Sequence, residues 1–172
     1  MNRTSASATA LIVLSSLWVC GCSSNKKDVE PAADVLGPAA VYVLSDPTRV
    51  EGWNFQRPDG TIASDPAIQQ LKTSTGKELA KILLDPATYK EYARGGAFER
   101  AVGYRVWRGD QNVEIYLSFN NDQLYLKHPG YSGGVTSSSA GFTNARDELL
   151  TVTHEAFPGY KAPDAPKHKK VK

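Results

Sequence analysis

Apolar and polar positions change rhythm several times along this chain, and each change marks an expected element. Behind a polar start carrying Arg3, the residues Ala8, Ala10, Leu11, Ile12, Val13, Leu14, Leu17, Trp18 and Val19 form an uncharged apolar run. The run is too short to cross a bilayer comfortably, because a spanning helix needs about 20 mainly apolar residues. It ends in Gly21, Cys22, Ser23, Ser24 and Asn25. The next stretch, SSNKKDVEPAADVLGP from Ser23 to Pro38, is polar with prolines and small residues, which predicts a flexible tether. AAVYVL, the turn formers Ser45-Asp46-Pro47 and RVEGWNF then read as a hairpin or two consecutive strands, with Pro58-Asp59-Gly60 as the following turn. Ser64-Asp65-Pro66 is a helix start with proline at the first position, and AIQQLK follows it. A helix restarts at Thr75 or Gly76 with Leu79, Ile82 and Leu83 on one face, and Asp85-Pro86 breaks it before a short helical turn in ATYKEYA.

The second half carries the clearest periodicity. RAVGYRVW and NVEIYLSF are strand-like runs joined by Arg108-Gly109-Asp110-Gln111, and QLYLKH is a third run after Asn120-Asn121-Asp122. In the middle run Val113, Ile115 and Leu117 alternate with Glu114, Tyr116 and Ser118, the period of a half-buried strand. The three runs predict an antiparallel meander. After a Gly/Ser loop, a final helix starts near Thr143 or Asn144, with Ala145, Leu149, Val152 and Ala156 as its buried stripe, and Pro158-Gly159 ends it. Strands and helices are segregated, so the expected class is α+β: a β-meander packed with N- and C-terminal helices in one small domain.

These changes divide the chain into a leader over 1–21, a tether over 22–38, a globular domain over 39–160 and a tail over 161–172. Charge follows the same division. The whole chain has 20 Lys+Arg against 18 Asp+Glu, but Lys161, Lys167, Lys169, Lys170 and Lys172 belong to the tail, where Asp164 is the one acid. Residues 22–160 hold 14 basic and 17 acidic side chains, so the body is slightly acidic. A proline-containing lysine tail reads as disordered and able to touch anionic surfaces, phosphate-bearing lipids or an acidic cell-wall polymer, or as no more than a solvated end. Nucleic acid is a poor partner, since no aromatics interleave the basic residues.

The apolar run and its ending have the form of a secretory signal. Val19-Cys20-Gly21-Cys22 resembles the lipobox of bacterial lipoproteins, in which small residues precede an obligatory cysteine. The resemblance implies a diacylglycerol thioether on Cys22, cleavage before it and, usually, acylation of the new amino terminus. Two or three acyl chains satisfy the requirement for stable anchoring, which one chain does not. It also implies residence in the bacterial cell envelope, with Ser23 favouring an outer membrane facing the periplasm if the host is Gram-negative. Cleavage would remove Cys20 and occupy Cys22, excluding thiol catalysis and cysteine-ligated zinc. Without cleavage the two cysteines stay open to a metal or redox reading.

A second resemblance covers residues 84–160. GYRVWRGDQNVEIYLSFNNDQLYL followed by a helix closing in EAFPGY is similar to a domain of uncharacterised bacterial lipoproteins and exported proteins. It implies a fold and no activity. Relatives often carry cysteines near the second strand, where this chain has Ser118 and Asn120.

Several motifs carry candidate chemistry. Gly130-Tyr131-Ser132-Gly133-Gly134 has the nucleophile-elbow pattern, and Ser132, Asp147 and His154 follow in hydrolase order, but a flexible VTSSSAG follows where that motif needs a helix. Arg108-Gly109-Asp110 reads as an adhesion tripeptide or, more simply, as hairpin-turn residues. His154-Glu155 lacks the second histidine of a helical zinc site, and His128 and His168 lie far off, so no metal or cofactor is expected. Among Trp53, Tyr104, Trp107, Tyr116, Tyr125 and Tyr131, alternation puts Tyr116 on the face opposite Ile115 and Leu117, exposed beside Trp107 or Tyr125. Trp107, Tyr116, Tyr125 and Tyr131 are therefore the candidate surface for gripping a glycan or a partner protein. The favoured expectation is a non-enzymatic binding or accessory module anchored through Cys22. The alternative is a small envelope serine hydrolase built on the Gly130–Gly134 loop.

Overall fold

A computed structural model describes residues 32–89, 97–128 and 135–164, the backbone alone over 135–139. Its centre is the expected meander. Gly109 takes the positive φ of 58° that a two-residue connection needs, and this folds strand β3 (Val102–Arg108) back on β4 (Gln111–Ser118) with Arg108 opposite Gln111. Asp122, also at positive φ, turns the chain into β5 (Gln123–Lys127). Strands from both ends of the domain extend this unit. β1 (Arg49–Asn54) pairs with β3, β2 (Gln69–Gln70) with β1, and β6 (Val135–Gly141) with β5. The result is an antiparallel six-stranded sheet in the order β2-β1-β3-β4-β5-β6, and the domain is α+β.

Helices α1 (Pro38–Leu44), α2 (Thr73–Leu84) and α3 (Arg146–Ala156) cover one face of the sheet. That face contributes Val50, Val102, Val106, Val113, Ile115, Leu117, Leu124 and Leu126 to the core, and the helices add Val43, Leu44, Leu79, Leu83, Leu149 and Val152. Gly52 faces them as well, and a Cβ there would fall 2.7 Å from Leu71 and 2.9 Å from Phe157, so a bare backbone lets both side chains reach the sheet. Two polar groups in this layer pair with each other: the Tyr104 hydroxyl and Thr153 Oγ1, both fully buried, lie 3.0 Å apart. At the β4–β5 turn, Arg146 is buried against the Asp122 carboxylate and the Phe119 carbonyl, tying the start of α3 to the meander.

Five local expectations change. AAVYVL is helix α1, not a strand: Leu36, Ala40, Val43 and Leu44 recur at helical spacing and are buried, Pro38 sits in the first turn, and packing overrides the β preference of its valines. AIQQLK forms no helix: Ile68 is left in solvent, two of its residues pair with β1 as β2, Leu71 packs on the sheet at Gly52, and the helix starts at Thr73. The Gly/Ser loop contains edge strand β6, paired antiparallel with β5. Residues 32–36, expected within the tether, are helical, and Ala32 and Leu36 lie in the core. Finally, Lys161 at the start of the tail is held on both sides by Gln56, whose Nε2 donates to its carbonyl at 3.1 Å and whose Oε1 accepts from its N–H at 2.8 Å.

Candidate functional site

The sheet face away from the helices is organised in rows, because cross-strand register sets which side chains stand side by side. One row reads Arg49, Trp107, Asn112 across β1, β3 and β4. The next reads Glu51, Arg105, Glu114, Lys127 across β1, β3, β4 and β5, alternating in charge at every step. The third reads Trp53, Gly103, Tyr116, Tyr125. Gly103 is required there: the Trp53 indole lies flat across it, and a Cβ would come within 2.3 Å of Trp53 Nε1.

The charged row is bonded throughout. Arg105 donates to Glu114 Oε1 through Nε at 3.1 Å and Nη2 at 2.7 Å, and to Glu51 Oε2 at 3.3 Å. Lys127 Nζ lies 3.6 Å from Glu114 Oε2, which also accepts the Tyr116 hydroxyl at 2.8 Å. Burial alone would raise the Glu114 pKa, but the hydrogen bonds from Arg105 and Tyr116 and the nearby Lys127 outweigh it and hold the carboxyl below its ordinary value. Burial and the bond to Glu114 push the Tyr116 phenol the other way, up to about 12. Arg49 stacks on the Trp107 ring at 4.0 Å, so the outer row is an arginine–indole pair beside a fixed line of charges.

The expected aromatic surface divides. Trp107 lies on this face and is partly exposed. Tyr116 is on the face predicted for it and 5.8 Å from Tyr125, but it is only 8% exposed, so the expectation that it stands open to solvent is corrected. Trp53 at 5.8 Å, Phe55 at 6.2 Å and Arg100 stacked at 4.9 Å enclose its ring, while Phe98 packs on Tyr125 at 5.8 Å. Segment 97–101 thus roofs the aromatic row, while Trp107 and Arg105 in the neighbouring rows stay partly exposed among the described residues. Middle strand β4 is consequently covered on both faces near its end, where alternation predicted one. Tyr104 belongs to the helix-side core. Cys22, Tyr131, Ser132 and His168 lie outside the described residues.

The other motifs resolve through their surroundings. Arg108 is not displayed as part of an adhesion tripeptide: it stacks on Tyr42 at 4.1 Å and donates to the Tyr42 carbonyl and to Ser45 Oγ. Asp147 and His154 both lie on α3, seven residues apart, so about 10 Å of helix rise separates them and neither can orient the other as catalytic partners. His154 packs instead on the Tyr160 ring. Among the described residues no group of His, Cys, Asp and Glu is placed to hold a metal ion, and no helix is long and apolar enough to cross a membrane.

Sequence reasoning missed the charged row. The signal was present: a two-residue turn at Gly109-Asp110 fixes Arg105 opposite Glu114, and only the outer partners Glu51 and Lys127 needed the pairing of distant strands. In comparisons with known proteins, no family model matches the chain, and no curated protein or solved structure matches it significantly.

Proposed function

We propose that the chain is a bacterial envelope lipoprotein, anchored in the membrane through acylated Cys22, whose domain is a non-enzymatic binding module. Its docking surface is the open strip of the sheet formed by Arg49, Trp107, Asn112, Glu51, Arg105 and Lys127. The observation that carries this reading is the pre-set geometry of that strip. Each guanidinium and carboxylate is held by a cross-strand neighbour, so little side-chain freedom is lost when a partner binds. The side chains of Arg49 and Lys127 at its rim remain 48% and 60% exposed. An envelope protein fits such a polar strip with one arginine–indole anchor, since anchors of this kind dominate protein interfaces.

The lipobox residues supply the anchoring half of the reading. Nine residues separate Cys22 from Ala32, which lies in the core, and a flexible segment of that length has a root-mean-square reach of roughly 15–18 Å. The module would therefore work close to the membrane surface. The binding half is tested by placing a photo-crosslinking residue at position 127 on the strip and, as a control, at position 77 on α2 in the native host. An adduct of defined mass from 127 alone, lost when Trp107→Ala is added, supports the reading. Equal adducts from both positions, or none from 127, would contradict it.

A further inference from the structure

A separate cleft of about 380 Å³ opens beyond the end of β1, bounded by Gln56, Gly60 and Ile62 on one side, Glu99–Ala101 and Asn120 on another, and Tyr160–Pro163 on the third. Its walls are fixed by hydrogen bonds. Gln56 brackets the Lys161 backbone from both sides, Arg146 donates to the Pro163 carbonyl at 2.9 Å, and the Asn120 amide holds Glu99.

The contents of the cleft are chemically unbalanced. Arg100 is exposed and stacked on Tyr116, and it forms no ion pair with a carboxylate among the described residues; the same is true of Lys161. Glu99 is the one carboxylate in the lining, so two cations face one anion already engaged by an amide. Ile62, 51% exposed, is one of three large apolar side chains left open among the described residues, and it lines the same cleft. A guanidinium matches the planar, two-oxygen geometry of a carboxylate. Glu99 in the wall disfavours a doubly charged phosphate, and Ile62 calls for an apolar group next to the anion. Ala162 on the third wall is an exposed residue, which leaves space beside it for a peptide chain.

We infer that this cleft binds the free carboxyl terminus of a peptide, with Arg100 and Lys161 taking the α-carboxylate and Ile62 covering an apolar last side chain. The inference does not depend on where the chain is anchored or on the open strip of the sheet.

The test titrates the full chain, in detergent, with an N-acetylated tripeptide ending in valine, as the free acid and as the C-terminal amide, followed by calorimetry. The acid binds saturably, and the amide binds at least about tenfold more weakly, as expected when a charge-assisted bond is lost. Arg100→Gln and Lys161→Gln each weaken the acid, while Lys77→Ala, at an exposed position on α2, leaves it unchanged. Lys161 touches its neighbours through its backbone, so its variant preserves the fold even if Arg100→Gln disturbs Tyr116. Equal affinity of acid and amide, no saturable binding of the acid, displacement of the peptide by acetate at equal affinity, or unchanged binding in Lys161→Gln would each overturn the inference.

Discussion

The two faces of the sheet solve the same packing problem with different chemistry. Toward the helices, aliphatic side chains from β1, β3, β4 and β5 and from the helices close into one continuous layer, whose stability grows with the apolar area removed from water. On the other face a separate small cluster of Trp53, Phe55 and Tyr116 sits beneath Arg100 and Phe98, next to a row of alternating charges. The first face is interchangeable in detail and costly to deplete. The second is specified residue by residue through register, and its polar groups hold one another in place. A surface meant for recognition has the second kind of order, because fixed polar groups lose less entropy on binding than loose ones.

The largest expected effect lies in the helix-side core. Ile115→Ala, at a fully buried position on the middle strand, should cost about 2–5 kcal/mol in chemical denaturation, because it leaves a cavity that the layer cannot close. Across the same strand, Tyr116→Phe keeps the ring and removes only its hydroxyl bond to Glu114. It should cost near the lower end of about 1.5–3 kcal/mol, the range for bonds to charged groups. A cost for Tyr116→Phe equal to that of Ile115→Ala would erase the distinction between the faces.

Stability should also fall toward both ends of the pH scale. Glu114 ionises below its ordinary value in the folded chain, so its contribution is complete above the ordinary glutamate pKa and is lost as pH falls below that through its depressed value. Tyr116 and Tyr160 have pKa values raised by burial from 10.0 to about 12, so the stability they add is present below pH 10 and is lost as pH rises from there toward 12. Denaturation series across both ranges should show both losses, and Tyr116→Phe should reduce the alkaline one. The smallest effect belongs to Lys127→Ala at the exposed end of the charged row, about 0.2–1 kcal/mol and diminishing with added salt.

The meander, the α2 face and the final helix were legible because period-2 and period-3.6 patterns there coincide with burial on one side. Helix α1 was not: Val41 and Val43 read as strand residues, and only the spacing from Leu36 to Leu44 across Gly37-Pro38 gives its helical face. Strand β6 was hidden because an edge strand of serines and threonines has no apolar alternation to display. For the surface, alternation placed Trp107, Tyr116 and Tyr125 on the correct face but said nothing of what lies above them. The roof comes from Phe98 and Arg100, whose contact with β4 and β5 is a tertiary fact. The same holds for the cleft, where Gln56 and Lys161 meet across 105 residues of sequence.

Anchoring is the claim on which the proposed role rests most directly. Metabolic labelling with a fatty-acid analogue in the native host, followed by membrane fractionation, compares the chain with its Cys22→Ser variant. Label and membrane residence in the wild type, both lost in Cys22→Ser, are the predicted result. An unlabelled wild type, or a Cys22→Ser variant that keeps its label, would contradict the account and return Cys20 and Cys22 to thiol chemistry.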